Sequence, residues 1–70
     1  MSVTISLGKN DIEAIVVHLR AVLDAAIEAK DKTVLAVAAS YIVGHIGALE
    51  RLGVVQADEI LKAAFKKDEP

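Results

Sequence analysis

At 70 residues the chain holds one domain at most, and a domain this short buries only about 60% of its unfolded surface when it folds alone. It has no cysteine, which excludes disulfides and thiolate zinc sites, and its formal net charge of −2 provides no basic field for nucleic acid or an anionic membrane. Ala, Val, Ile, Leu, Met, Phe and Gly make up 41 of the 70 residues, about 59% against a usual ~45–50%, so the chain predicts a second buried face and a homo-oligomer, dimer or tetramer.

Residues 1–8 open with an alternating pattern. Val3, Ile5 and Leu7 are apolar, and Ser2, Thr4 and Ser6 between them are polar, the period of a short strand. No second strand is evident in the chain, and a lone strand leaves its backbone groups unpaired. The segment is therefore expected either as an extended arm lying on helices or as a strand paired with the same segment of a second copy. Met1 to Leu7 lacks both the basic and the apolar region of a secretory signal, which makes the cytoplasm the expected location.

Gly8 ends that pattern, and a first helix is expected over residues 10–30. Asn10 as N-cap with Glu13 three residues on has the form of a capping box. Ile12, Ile15, Val16, Leu19, Val22, Leu23, Ala26 and Ile27 recur at i, i+3, i+4 and i+7 and form its core stripe. Glu13, Arg20, Asp24 and Glu28 fall on the water side, and Ala14, Ala21 and Ala25 make a narrow small-residue strip beside His18.

Lys30-Asp31-Lys32 is the next polar break, with Asp31 or Thr33 as the following N-cap. So short a connection predicts antiparallel neighbours; one continuous helix of about forty residues is the alternative, since no Gly or Pro interrupts the run. The second helix, expected over 33–52, is uncharged from Thr33 to Leu49. Its bulky side carries Val34, Leu35, Tyr41, Ile42, His45, Ile46, Leu49 and Leu52; its other side carries Ala36, Ser40, Gly44 and Gly47, with Ala48 adjoining. A helix apolar all round is a buried helix. The expected arrangement packs the bulky side within the hairpin and offers Ala36, Ser40, Gly44, Gly47 and Ala48, with Tyr41 and His45, as the oligomer interface. The run of 17 uncharged residues falls just short of a membrane span and is rich in Ala and Gly, so a membrane is not favoured. Gly53 suits a Schellman stop with Val54 covering the end. A third helix is expected over 56–67, with Ile60, Leu61, Ala64 and Phe65 as its apolar face, followed by a frayed tail at 68–70.

The whole reads as one small all-α domain: a short N-terminal extended segment, then a long antiparallel helical hairpin and a short third helix. Two such chains are expected to pair into a dimeric four-helix-type bundle. Chemistry is sparse. Tyr41 and His45 share a helix face at i, i+4 and could pass a proton, though a polar contact inside an interface is the simpler reading. His18 and His45 could approach across the hairpin, but the Glu-x-x-His pattern of di-iron bundles is missing, and neither a metal nor another cofactor is expected. Gly44 and Gly47 sit in a helical run with no strand before them and no Lys after, unlike a phosphate loop.

An alternating N-terminal segment followed by two helices, Val3 to Leu52, resembles the ribbon-helix-helix repressors, which dimerise through such a strand. The resemblance implies a small dimeric transcriptional or phage-type regulator. Specific DNA binding rests on Lys and Arg at phosphates, whereas Ser2, Thr4 and Ser6 are neutral and the first helix is about twice the family's expected length. The leading expectation is therefore a non-catalytic self-associating interaction or assembly module. The dimeric regulator and a ligand site at Tyr41 and His45 stand as alternatives.

Overall fold

The computed structural model describes residues 3–66. Three helices fill most of that length: α1 (Lys9–Ala29), α2 (Lys32–Leu52) and α3 (Ala57–Phe65). There is no strand among the described residues, only one isolated parallel bridge between Ile5 and Val54. Ser2, Lys67 and the expected 68–70 tail lie outside the described residues.

Each helix boundary has a local cause. The expected capping box at Asn10 does not form. Gly8 is the N-cap of α1, without a side-chain cap bond, and its carbonyl accepts from the Ile12 N–H at 3.1 Å. Asn10 therefore lies inside the first turn. The extended arm ends at Gly8, so the helix starts as soon as the chain is released from it. Between α1 and α2 the chain does break, because Lys30 takes a left-handed conformation (φ 55°) and its N–H donates to the Ile27 carbonyl. Asp31 then caps α2, its carboxylate accepting from the N–H groups of Thr33 at 2.8 Å and Val34 at 3.2 Å. Gly53 closes α2 in a Schellman motif: its N–H donates to the Glu50 carbonyl and the Val54 N–H donates to the Leu49 carbonyl, both at 3.0 Å.

The core is small. Leu19, Ile42, Ile46, Ala57, Ile60 and Ala64 form one buried cluster, drawn from all three helices, with Ile12, Ile15, Val16, Leu23 and Leu49 packed around it. Half of those six residues belong to α3, so the short helix wedges against both members of the hairpin. Ala57 was not on its predicted apolar face, while Phe65, which was, is 40% exposed. The α1 stripe packs as its period requires except at its end, where Ile27 remains exposed. Arg20, expected in water, is half-buried; it pairs with Asp24 at 3.4 Å and its guanidinium donates to the Lys66 carbonyl, tying α1 to the end of α3.

The bulky side of α2 is divided rather than buried as a unit. Ile42 and Ile46 are in the core and His45 and Leu49 are half-buried, but Val34, Leu35, Tyr41 and Leu52 are exposed. The arc covered by α1 and α3 is narrower than the apolar arc that the sequence supplies.

The N-terminal segment is extended, but it neither lies along a helix nor stands alone as a strand. It pairs with the turn between α2 and α3, where the Ile5 N–H donates to the Gly53 carbonyl at 2.7 Å and the Val55 N–H donates to the Ile5 carbonyl at 3.0 Å. Gln56 locks the next step: its side-chain carbonyl accepts from the Leu7 N–H, and its amide nitrogen donates to the Leu7 carbonyl and the Ser6 hydroxyl, each at 3.1 Å.

Candidate functional site

Helix α2 is apolar beyond what its own chain covers. Val37, Tyr41, Val43 and Leu52 are 64%, 47%, 59% and 61% exposed, on a helix without a charge between Lys32 and Glu50. Its antiparallel crossing with α1 leaves an apolar groove of about 450 Å³, lined by Val22 and Ala25 from α1 and by Val34, Val37 and Tyr41 from α2. The groove runs beside the small-residue side of α2. Ala36, Ser40, Gly44 and Ala48 are exposed and Gly47 is half-buried. A Cβ placed on Gly44 or Gly47 would meet nothing within 4 Å. These two glycines therefore answer to no close approach within the single chain.

By length and composition alone, Lys32–Leu52 is also apolar enough to cross a membrane, with a mean hydropathy of 1.5.

At the edge of the groove three rings meet. His18 of α1 lies opposite Tyr41 of α2, with Nε2 and Oη 2.9 Å apart. The ring centroids are 5.9 Å apart for His18 and Tyr41, 6.0 Å for Tyr41 and His45, and 6.3 Å for His18 and His45. The i, i+4 spacing that brings Tyr41 to His45 was readable in the sequence, and the short connection places His18 opposite them. The specific His18–Tyr41 bond was not foreseen, because it depends on the register of the hairpin. All three side chains lie on the solvent-facing rim of the α1–α2 contact, with His45 the most covered.

The predicted interface residues thus fall into two groups. Tyr41 and His45 join the ring cluster, and Ala36, Ser40, Gly44 and Ala48 line an open surface that merges into the groove along Val37 and Tyr41. Val37 and Val43 were absent from the expected interface, although they are 64% and 59% exposed; the signal available was their position outside the bulky stripe. Among the described residues no group of three His, Cys, Asp or Glu side chains comes together. No protein-family model, curated protein or solved structure matches this chain.

Proposed function

We propose that this protein is a self-associating helical module whose working surface is the exposed face of α2 and the adjoining α1–α2 groove, with a second copy of the same chain as the occupant. The observation that carries this reading is the apolar face that the chain leaves uncovered: Val37, Val43 and Leu52 are 64%, 59% and 61% exposed on a helix without a formal charge between Lys32 and Glu50, and exposed apolar surface of that kind marks an interaction site.

The chemistry of that face favours a like partner. It has no charge to be paired, so it makes no demand for an oppositely charged surface. It carries protrusions at Val34, Val37 and Tyr41 beside the hollow at Gly44 and Ala48, the two halves that a two-fold contact requires on one surface. Two hairpins laid face to face through α2 make a four-helix arrangement about two layers thick. The reading assigns the module a role in assembly and no catalysis of its own.

The test is the mass in detergent-free buffer by size-exclusion chromatography with light scattering. A dimer or larger species across the micromolar range supports the proposal, and a monodisperse monomer overturns it. A lipid-facing role for the same helix is the second reading, favoured by its length and hydropathy. That reading requires precipitation without detergent and co-flotation with neutral phosphatidylcholine vesicles.

A further inference from the structure

The three rings at the groove's edge have a geometry that a polar contact does not require. Their centroid separations of 5.9, 6.0 and 6.3 Å describe a nearly equilateral triangle. His18 Nε2 and Tyr41 Oη, 2.9 Å apart, span roughly the 90° bite of an ion held at ~2.0–2.1 Å, and the imidazole centroids of His18 and His45, 6.3 Å apart, need to close by about 1 Å to flank the same ion at a tetrahedral angle. Small rotations of side chains lying at the surface would bring a nitrogen of each imidazole onto a common centre. The remaining coordination positions would stay open to solvent.

We propose that His18 and His45, with Tyr41 as a third, weaker donor, form a cross-helix site for a divalent transition-metal ion of the copper(II)–zinc(II) class. Two imidazoles and a phenol oxygen suit such ions, and hard cations such as magnesium or calcium want more oxygen ligands than the cluster holds. The surroundings carry no competing cation: the residues three and four places from His18 are Ala14, Ile15, Ala21 and Val22, and α2 is uncharged between Lys32 and Glu50. The ion takes the place of the present His18–Tyr41 hydrogen bond. It links α1 to α2 in a small chain that has no disulfide to do so. Both imidazoles come from one chain, so the site is complete in the monomer and does not depend on self-association.

Copper(II), the tightest binder among the first-row divalent ions, is the probe. Titration of the full chain should give saturable binding at one ion per chain, with an electron paramagnetic resonance spectrum showing two coordinated nitrogens. His18→Ala and His45→Gln, each checked for helicity by circular dichroism, should each weaken binding about 100-fold through loss of the chelate. Tyr41→Phe should keep the two-nitrogen signature with weaker binding. As an independent readout, zinc(II) at 100 times the wild-type dissociation constant should shift the unfolding equilibrium of the wild type about 100-fold and that of His18→Ala only about 2-fold. Binding by His18→Ala as tight as wild type, a one-nitrogen spectrum, or no saturable binding overturns the proposal.

Discussion

Replacing Gly44 separates what the single chain needs from what an assembly needs. A Cβ at this position meets nothing within 4 Å, and the residue lies in the interior of α2. Glycine in a helix interior costs about 0.8–1.0 kcal/mol relative to Ala, and Leu is nearly as favourable as Ala. Gly44→Ala and Gly44→Leu should therefore each stabilise the monomer by about 0.8 kcal/mol, raising the midpoint of thermal unfolding by roughly 3–6 °C for a domain of this size. The assembled state should respond in the opposite direction. Forcing extra methylenes into a packed contact costs about 1–3 kcal/mol, and a two-fold interface suffers it twice. Gly44→Leu should then weaken the dimer by at least about 30-fold, taking ~1 kcal/mol per copy. The assay is urea unfolding followed by circular dichroism at submicromolar protein, paired with light scattering over a concentration series. A Gly44→Leu protein that associates like wild type would refute the close contact at this strip, and a destabilised monomer would refute the open space around Gly44.

Substitutions at three further positions test the local structure. Lys30→Gly should stabilise the fold by about 1 kcal/mol, because Lys30 is exposed and holds a φ of 55° that costs a non-glycine residue ~1–2 kcal/mol; a loss of stability in chemical denaturation would contradict this. Asp31→Ala should cost about 1 kcal/mol by removing the acceptor for the Thr33 and Val34 N–H groups, measured by the same denaturation, whereas Asp31→Asn should recover most of it. Gly53→Ala should be the most damaging: φ is +91° and the new Cβ would collide with the Val3 carbonyl oxygen. With the strain of ~1 kcal/mol and loss of the two Ile5 hydrogen bonds at about 1 kcal/mol each, it should cost about 3 kcal/mol and release the arm, seen as fast amide exchange at Ile5 and Val55. Protected amides at both positions would show that the arm does not depend on the glycine.

How far each feature could be read in advance follows from how local its cause is. Asp31 and Gly53 were readable because a capping carboxylate and a left-handed stop need only their immediate neighbours. The α1 stripe was readable because its period has one solution, and Leu19 and Ala26 are buried where that period places them. The start of α1 was not, because Asn10 is an intrinsically better cap than Gly8 and loses only because the arm fixes the backbone ahead of it. The arm's partner was also hidden: it is a turn created by the Schellman geometry at Gly53, with no strand pattern of its own. Helix α2 shows the deepest limit. Apolarity all round predicts burial, yet the chain has only enough α1 and α3 to cover the arc of Ala38, Ile42 and Ile46. Which part of an all-apolar helix stays open is decided by the size and register of its neighbours, and its own sequence does not record that. In the candidate site, Tyr41 and His45 were legible as an i, i+4 pair, whereas the His18–Tyr41 contact required the hairpin register.

Because the chain has no cysteine, single cysteines report directly on which face meets a second copy. Val37→Cys, Gly44→Cys and Ala48→Cys place a thiol on the exposed face of α2, and Glu13→Cys and Glu28→Cys place one on exposed positions of α1 away from the core. Under mild oxidation at micromolar protein, at least one of the three α2 variants should form a covalent dimer rapidly while both α1 variants remain monomeric on a non-reducing gel. Cross-linking in the α2 variants no faster than in the α1 variants would contradict the assignment of this face to self-association.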